Sequence, residues 1–329
     1  MKKRYLVTFY DSNYLPKAVA TYLSLQKYHS NFVLYAFCFD DLSYEITKKL
    51  NYPNFIPIAP KDFENEELKK SKSEKEKLYE YYWSCKPYIV LKVMNDTKAD
   101  MVTYIDCDFM FFDNPEVIFQ EIGNADVLIQ PNNFSVDEVD QFKPVGYYCS
   151  CWESFKNTKN ARQVLGWWHQ KCMEWCYARF EDGKFADQKY LDQWRILFKG
   201  VRENTQIGAN IAPWSIQKYD LSSKNGKVIV NGWPLIYYHY HSFRMNLINY
   251  KYIITGDREN FYRIPKEAVS LVYSPYIKLL KQTLIDLKKI PEYYKYAISN
   301  PESLIKVKDT KAKAVFTSYK DAVTSTDKF

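Results

Sequence analysis

The sequence predicts an α/β protein: a domain built on a mostly parallel sheet flanked by helices, followed by a basic, mainly helical region. Over the first 130 residues, short apolar runs alternate with longer amphipathic ones, a pattern typical of strands joined by helical crossovers. Only 9 Gly and 14 Pro interrupt the 329 residues, which argues against extended disorder. Residues 246–329 hold 15 Lys and Arg against 9 acidic residues, whereas residues 1–245 hold 31 against 30. We therefore expect a nearly neutral domain over 1–245 and a basic region over 246–329.

Each element of the domain is predicted from a local pattern. Short apolar runs rich in β-branched and aromatic residues predict strands over 4–10, 32–39, 55–58, 101–105 and 125–130. The amphipathic stretches between these runs predict helices over 16–28, 41–50 and 87–95. The strand at 32–39 is almost continuously apolar, which indicates a strand covered on both faces. The highly charged stretch 61–80 is predicted to be an exposed helix or a loose insertion.

The basic region contains one clear amphipathic pattern, at 274–291. On a helical wheel, six apolar side chains share one half and four lysines share the other, with Ile285 as the exception. Pro275 is suited to the first turn of this helix and Pro291 to its end. Two interpretations stay open: the helix packs on the domain, or it lies on an anionic membrane surface.

Other features bear on where the protein acts. No apolar run approaches the roughly 20 residues that a membrane-spanning helix needs. The apolar stretch that follows the basic N-terminus is shorter than that of a signal peptide. The seven cysteines are scattered, which favours reduced thiols. We therefore expect a cytoplasmic protein, with peripheral contact to the inner face of the membrane through 274–291 as an open alternative.

Several chemistries lack their sequence signals. The chain has no G-x-G-x-x-G fingerprint, no Walker A loop and no H-E-x-x-H motif. Its basic charge and its 18% aromatic content would also suit a nucleic-acid-binding protein. The domain over 1–245 is nearly neutral, however, and no RNA-binding signature is visible, so we expect no nucleic-acid partner.

Two carboxylates follow the predicted strand at 101–105. Asp106 and Asp108 leave an extended chain on the same side, because side chains alternate with a period of two. Ligands of open α/β sheets bind at the carboxyl ends of the strands. A hard divalent cation, Mn²⁺ or Mg²⁺, would be held by such carboxylates and could bind the diphosphate of a nucleotide. The alternative is a pair of helix-capping or salt-bridged acids.

Four segments of the domain carry a resemblance to a known family. They are V-T-F-Y-D-S-N-Y-L-P-K-A-V-A-T-Y-L-S-L at 7–25, D-C-D at 106–108, F-A-D-Q-K-Y-L-D at 185–192 and P-L-I-Y-Y-H-Y-H-S-F-R at 234–244. In this order they resemble the GT-A glycosyltransferases, specifically glycosyltransferase family 8 and related bacterial capsule and lipopolysaccharide enzymes. The chain departs from the family pattern at Cys149 and Cys151, which stand where the family usually carries the Asn and Gly of N-x-G.

The resemblance implies roles on the nucleotide side of the site. It places Thr8, Tyr10 and Asp11 near the base and the ribose of a UDP-sugar. The segment W-S-C-K-P-Y at 83–88 is similar to the start of the donor-side helix, which places Lys86 on the phosphates. Arg244 stands where family members carry a cation on the diphosphate.

The resemblance also implies a third metal ligand and two residues beside the transferred sugar. His239 would complete the metal site of Asp106 and Asp108, with His241 as the alternative, because both histidines lie on the same face of a strand. Asp187 and Gln188 would lie beside the sugar. Asp187 is also suited to be the N-cap of a helix starting at 189.

The function implied is transfer of a hexose from a UDP-sugar to a glycan or glycolipid acceptor, with retention at the anomeric carbon. A nucleotidyltransferase and a non-enzymatic nucleotide- or nucleic-acid-binding protein stay as alternatives. A zinc site is a further alternative. Its candidate ligands do not have a usual zinc spacing, so we expect core thiols at Cys149, Cys151, Cys172 and Cys176, near His169.

Overall fold

The computed structural model of the chain describes residues 2–245, 247–248, 252–253 and 262–300. The strands of these residues are β1 Arg4–Tyr10, β2 Phe32–Cys38, β3 Phe55–Ile58, β4 Met101–Ile105, β5 Phe109–Phe111, β6 Val127–Pro131, β7 Tyr148–Lys156, β8 Val201–Glu203, β9 Leu221–Lys224, β10 Lys227–Val230, β11 Trp233–Pro234, β12 Tyr237–His239, β13 Arg244–Met245 and β14 Tyr252–Ile253. The helices are α1 Leu15–Tyr28, α2 Asp41–Leu50, α3 Glu66–Glu74, α4 Leu78–Ser84, α5 Lys86–Thr97, α6 Glu116–Glu121, α7 Phe142–Val145, α8 Lys159–Glu174, α9 Trp194–Leu197, α10 Lys266–Ala268, α11 Ser274–Leu287 and α12 Pro291–Ser299.

The centre of the molecule is a seven-stranded mixed sheet in the order β3-β2-β1-β4-β7-β6-β8. Strands β3, β2, β1 and β4 are parallel to one another, and β6 is parallel to β8. Strand β7 is antiparallel to both β4 and β6. The predicted mostly parallel α/β sheet is therefore confirmed. Because β7 runs in the opposite direction, its beginning lies at the edge where β1 and β4 end.

Helices cover both faces of this sheet and form two core clusters. One cluster contains the apolar residues of α1 and α2, and the other contains those of α4, α5 and α8. The predicted double coverage of β2 is confirmed, because Leu34 belongs to the first cluster and Phe37 to the second. Both side chains are at most 1% exposed.

The strands and helices predicted over the first 130 residues are present, with ends that differ by at most two residues. Of the two alternatives predicted for the charged stretch 61–80, the exposed helix is confirmed and the loose insertion is wrong. The stretch contains α3 and the start of α4, and its few apolar residues are used for packing. Leu68 and Tyr81 are both fully buried against the second core cluster.

The described part of the basic region packs on the domain. The helix predicted over 274–291 is present, but it ends at Leu287 and a new helix, α12, begins at Pro291. Leu280 and Leu284 are buried in the first core cluster, whereas Ile285 is 38% exposed. Of the two interpretations, packing on the domain is therefore confirmed for the apolar face, and this face is not available to a membrane.

Two further observations concern the C-terminal part of the chain. The Tyr238 hydroxyl of the domain forms a 2.8 Å hydrogen bond with the Tyr273 hydroxyl. The Tyr240 hydroxyl donates a 2.8 Å hydrogen bond to the Val272 carbonyl. Residues 301–329 of the predicted basic region lie outside the described residues. Among those described, no helix combines the length and the apolar character needed to cross a bilayer. The division of the chain at residue 245 stays a prediction.

Candidate active site

Asp106, Asp108 and His239 come together at the edge where β4 ends. The two aspartates follow β4 directly, and β5 follows them. Strand β5 pairs antiparallel with β12, and this register places His239 opposite Phe109, next to Asp108. The His239 Nε2 atom lies 3.2 Å from Asp108 Oδ1 and 3.7 Å from Asp106 Oδ2. One ligand atom from each of the three side chains lies within 4.8 Å of the others.

This donor set fits a divalent cation. Two carboxylates and one imidazole are ligands that Mn²⁺ and Mg²⁺ accept. Burial alone would raise the pKa of Asp108, but His239 and Lys17 hold it below its ordinary range. Burial lowers the pKa of His239, and the Asp108 carboxylate more than offsets this effect and raises it to about 10. The Asp108 carboxylate and the His239 imidazole therefore stabilise each other's charged form.

Lys86, the first residue of α5, links the aspartate pair to Asp187. Its ammonium group lies 3.7 Å from Asp106 Oδ1 and 3.1 Å from Asp187 Oδ2. It also donates a 2.5 Å hydrogen bond to the Ser150 carbonyl at the start of β7. Burial would lower the pKa of Lys86, but Asp106 and Asp187 raise it above its ordinary value. Lys86 is therefore a buried, charged ammonium between two carboxylates.

The segment that carries Asp187 and Gln188 turns sharply at Ala186, whose φ is 49°. This left-handed conformation is unusual for alanine and directs the chain toward Lys86. Asp187 is 2% exposed, and its carboxylate pairs with Lys86. The short 3₁₀ helix Lys189–Gln193 has no side-chain cap, so the alternative of Asp187 as an N-cap is wrong.

Gln188 is held against the start of β7. Its Oε1 accepts a 3.2 Å hydrogen bond from the backbone N–H of Ser150, and its Nε2 donates one of 3.2 Å to the Val145 carbonyl. Gln188 thus anchors the same strand end that Lys86 contacts. Its place beside a transferred sugar stays a prediction.

The residues predicted for the base and the ribose lie along β1 and just after it. Asp11 is at the carboxyl end of β1, the edge at which Asp106 also lies, and it accepts hydrogen bonds from the backbone N–H groups of Asn13 and Tyr14. Burial raises the pKa of Asp11. Thr8 is 1% exposed, and its hydroxyl has no hydrogen-bond partner among the described residues.

Tyr10 is the last residue of β1, but its side chain does not face this edge. Its side chain lies in the first core cluster on the face of β1 that α1 and α2 cover, and it is 1% exposed. Its hydroxyl is 2.9 Å from the Thr47 hydroxyl. The predicted contact between Tyr10 and the nucleotide is therefore not available to this hydroxyl, because alternation along the strand directs it into the core.

His241 and Arg244 follow β12. Strand β12 ends at His239, so the assumption that both histidines share one face of a strand does not hold. The ring of His241 is 5.8 Å from that of His239 and 5.4 Å from that of Trp214, measured between centroids. Arg244, in β13, is half-buried and close enough to Lys17 to lower its pKa further than burial already does.

The sequence did not single out Lys17 for this site. It lies in the first turn of α1, where its spacing indicates only a helical surface position. In the structure it is 2% exposed, with its ammonium 3.9 Å from Asp108 Oδ2 and 4.2 Å from the centroid of the Tyr14 ring. The only sequence feature that points to Lys17 is its charge among the apolar residues at the start of α1.

The cysteines are buried free thiols, as predicted. Cys172 lies in the second core cluster with Cys176. Cys149 and Cys151 differ, because their sulfur atoms and a His239 ring nitrogen lie within 4.8 Å of one another. Burial raises the pKa of the Cys149 thiol, but a hydrogen bond with Cys151 and the nearby His239 lower it to about 7.

Comparison with known proteins gives relatives and structural neighbours. No protein-family model matches the chain. It is 30% identical over 272 residues to "Uncharacterized protein YfnD" of Bacillus subtilis (strain 168), covering 80% of this chain and 85% of that protein. It is 33% identical over 245 residues to "Uncharacterized protein YfnF" of the same organism, covering 71% and 80%. Neither name states an activity.

Two solved structures show the fold. The galactosyltransferase LgtC, in complex with donor and acceptor sugar analogs, superposes with a TM-score of 0.52 at 12% identity, covering 89% of this chain and 99% of LgtC. The apo form of the glycosyltransferase GlyE of Streptococcus pneumoniae TIGR4 gives a TM-score of 0.50 at 14% identity, covering 88% and 64%. The predicted GT-A fold is therefore confirmed. At such low identities the likeness concerns the fold alone.

Proposed function

Because the chain belongs to the family of Bacillus subtilis YfnD and YfnF and has a GT-A glycosyltransferase fold, we propose that it is a metal-dependent glycosyltransferase. Its donor would be a UDP-hexose and its acceptor a glycan or a glycolipid. The observation that carries this proposal is the meeting of Asp106, Asp108 and His239 at the carboxyl edge of the sheet. In open α/β sheets this edge is where nucleotides bind.

When bound, an Mn²⁺ or Mg²⁺ ion would neutralise the diphosphate of the donor and of the departing nucleoside diphosphate. The chain supplies the arrangement for it. Asp106 and Asp108 orient their oxygens toward the same space as His239 Nε2. Lys17 and Arg244 add positive charge on the Asp108 side, where negative charge increases as the leaving group separates. These groups are positioned by α1, β4, β12 and β13 before a substrate arrives.

The sugar would lie beside the aspartate pair, on the side of the site where Lys86 joins Asp106 to Asp187. Lys86 pairs with Asp187 and partly counters the rise that burial causes in the pKa of this carboxyl, and the Asp187 carboxylate would stabilise the positive charge that develops at the anomeric carbon. An inverting enzyme needs a base that reaches the acceptor hydroxyl. Asp187 is 2% exposed and paired with Lys86, which argues against that role. This arrangement supports the retaining alternative.

One of the two proposed acceptors, a glycolipid, would lie in a membrane. A glycolipid acceptor would require the protein to approach an anionic surface. The apolar face of α11 is buried, but Lys278 and Lys281 are exposed on its other side, and Lys289 is exposed just after its end. Exposed lysines attract anionic lipids without insertion. Peripheral membrane contact through 274–291 is therefore proposed as an electrostatic contact.

A thermal-shift screen tests the proposed function. Nucleoside diphosphates, nucleoside triphosphates and nucleotide-sugars would each be added with and without Mn²⁺. Ligands that bind only the folded protein raise its Tm by mass action. We expect UDP and UDP-hexoses to raise the Tm only when Mn²⁺ is present. A shift by nucleoside triphosphates alone would favour a nucleotidyltransferase and would contradict the proposal, as would the absence of any shift.

A further inference from the structure

Next to the carboxylate cluster lies a second group of ligand atoms of different chemistry. It consists of the thiols of Cys149 and Cys151 and a ring nitrogen of His239, which all lie within 4.8 Å of one another. Cys149 is 3% exposed, Cys151 is fully buried and His239 is 4% exposed. The two cysteines lie near the start of β7, where the backbone N–H of Asp106 donates a 2.9 Å hydrogen bond to the Cys151 carbonyl.

The donors of this group favour a different class of cation from that of the carboxylates. Thiolates are soft ligands and select Zn²⁺ and similar thiophilic ions, whereas carboxylates suit Mg²⁺ and Mn²⁺. Two cysteines and one histidine, with a fourth position left to water, form a known zinc coordination set. With ordinary zinc bond lengths, the three ligand atoms of a tetrahedral site lie about 3.5–3.8 Å apart. The ligand atoms of the group, which lie within 4.8 Å of one another, therefore need to move by about 1.3 Å at most to reach this geometry.

We propose that Cys149, Cys151 and His239 form a second cation site that binds Zn²⁺ or another thiophilic divalent ion. In this site the ion is bound by two sulfur atoms and one nitrogen. Binding breaks two S–H bonds and the N–H bond of the protonated His239 ring and forms two S–Zn bonds and one N–Zn bond, and the three protons pass to solvent without any transfer of electrons. The Cys151 thiol also gives up its 3.3 Å hydrogen bond to Asn210 Oδ1.

The second site competes with the carboxylate site because both use His239. A neutral imidazole has one lone pair for a metal, since its other nitrogen carries a proton. Two dications on either side of one ring would also repel each other. The soft ion binds more tightly than Mn²⁺ to nitrogen and sulfur ligands. We therefore infer that Zn²⁺ at the thiols removes His239 from the carboxylate site and inhibits the binding of Mn²⁺ there.

The ligation by thiols is tested with Cd²⁺, whose bonds to thiolates give an ultraviolet charge-transfer absorption. The reduced full-length protein would be titrated with Cd²⁺. We expect an absorption that saturates at one equivalent, falls to about half in C149S and in C151S, and is absent in the double variant. Cys172→Ser is the matched control, because Cys172 is also a buried thiol next to a second cysteine, Cys176, and it should leave the absorption unchanged.

If the variants do not fold, the Cd²⁺ titration of the wild-type protein is enough to test the proposal. The absence of a thiolate absorption with Cd²⁺ in the wild type would overturn it, and so would an absorption that the folded double variant retains. Competition is measured by the electron paramagnetic resonance signal of Mn²⁺, which one equivalent of Zn²⁺ should release. Competition rests on the proposed carboxylate site and thiol ligation does not. A wild type that binds Cd²⁺ through thiols but never binds Mn²⁺ would contradict the proposed function and leave the thiol site standing.

Discussion

The strand register places His239 in the cluster with Asp106 and Asp108, and His241 lies outside that cluster. Three residues of β12 pair with β5, and the pairing ends at His239, so the following residues turn away from the strand direction. The imidazole that lies beside Asp108 is therefore the last one within the ladder. Two histidines two residues apart look equivalent in the sequence, and only the end of the pairing separates them.

This difference predicts unequal effects of two matched substitutions. His239→Gln removes a nitrogen that lies 3.2 Å from Asp108 Oδ1, so we expect the affinity for Mn²⁺ to fall about tenfold or more. His241→Gln changes a ring outside the three-residue cluster and should leave the affinity within about twofold. Calorimetric titration with Mn²⁺ measures both. Equal losses in the two variants would contradict the assignment of His239.

Lys86 contributes to stability as well as to the site, because it is the buried countercharge of two aspartates. Removal of one partner from a buried ion pair typically costs about 3–5 kcal/mol. We expect Lys86→Met to lower the free energy of unfolding at neutral pH by about that amount, measured by chemical denaturation. The matched control is Lys92→Met on the same helix. Lys92 pairs with Asp96, which is 57% exposed, so the change should be below about 1 kcal/mol.

Lys86→Met should also make the free energy of unfolding depend on pH, and the pKa of Asp187 sets the sign of this dependence. Burial raises the pKa of Asp187 above its ordinary value of 3.8, and Lys86 partly counters this rise. Without Lys86 the pKa of Asp187 rises further, so the folded state binds a proton that the unfolded state lacks between 3.8 and the raised value. The stability lost in Lys86→Met should therefore be partly recovered as the pH falls from neutral through the raised pKa of Asp187 toward 3.8. A loss that does not change with pH would contradict this account.

Single residues at the site were predictable only where a motif carried them. Asp106 and Asp108 follow from their place after a buried strand, and Asp187 follows from the resemblance of its segment. Lys17 has no such signal, because a lysine in the first turn of a helix is ordinarily exposed. Tyr10 was placed at the nucleotide by the resemblance, whereas the alternation of β1 directs its ring into the core.

At the scale of elements, α11 shows how an amphipathic pattern is used. Its apolar half looks the same whether the partner is a membrane or a protein core. The structure places this half against the first core cluster, next to α1 and next to Tyr240, whose ring stacks on that of Tyr276. The helical wheel correctly predicted which side of α11 is buried and which is exposed. It does not indicate whether a membrane or a protein surface covers the apolar side.

The packing of α11 predicts a contrast between adjacent positions. Leu284 is fully buried, so Leu284→Ala should lower the free energy of unfolding by about 2–5 kcal/mol, through lost burial and the cavity left behind. Ile285 is 38% exposed, and Ile285→Ala should cost less than about 1 kcal/mol. Thermal and chemical denaturation measure both changes. Similar small costs in the two variants would show that α11 does not pack on the domain in solution.

Elements with a strong local pattern were predictable and the irregular ones were not. The strands and helices over the first 130 residues follow from apolar runs and amphipathic periodicity. The short strands β5 and β12 have three residues each, too few for a period to be recognised. Their pairing over a long sequence separation is what brings His239 to the aspartates, and no local rule predicts it.

At the scale of the whole molecule, the site depends on three distant parts of the chain that meet at one sheet edge. The end of β4 places the aspartate pair at this edge, and β12 places His239 there. The turn at Ala186 places Asp187 next to Lys86. The class of the fold was predictable from strand–helix alternation, and its GT-A identity from the order of the motifs. The competing thiol group of Cys149 and Cys151 was not, because its third ligand is far away in the sequence.

The central claim is that Asp106, Asp108 and His239 hold a cation that binds the diphosphate of a nucleotide. Calorimetric titration of the full-length protein with UDP, with Mn²⁺ present and after its removal by a chelator, tests it most directly. We expect UDP to bind only with Mn²⁺, and Asp108→Asn to weaken binding about 100-fold or more. Asp113→Asn, at an acid that pairs with Lys227 instead, should have no effect. An affinity for UDP that is the same without Mn²⁺, or that Asp108→Asn leaves unchanged, would contradict the claim.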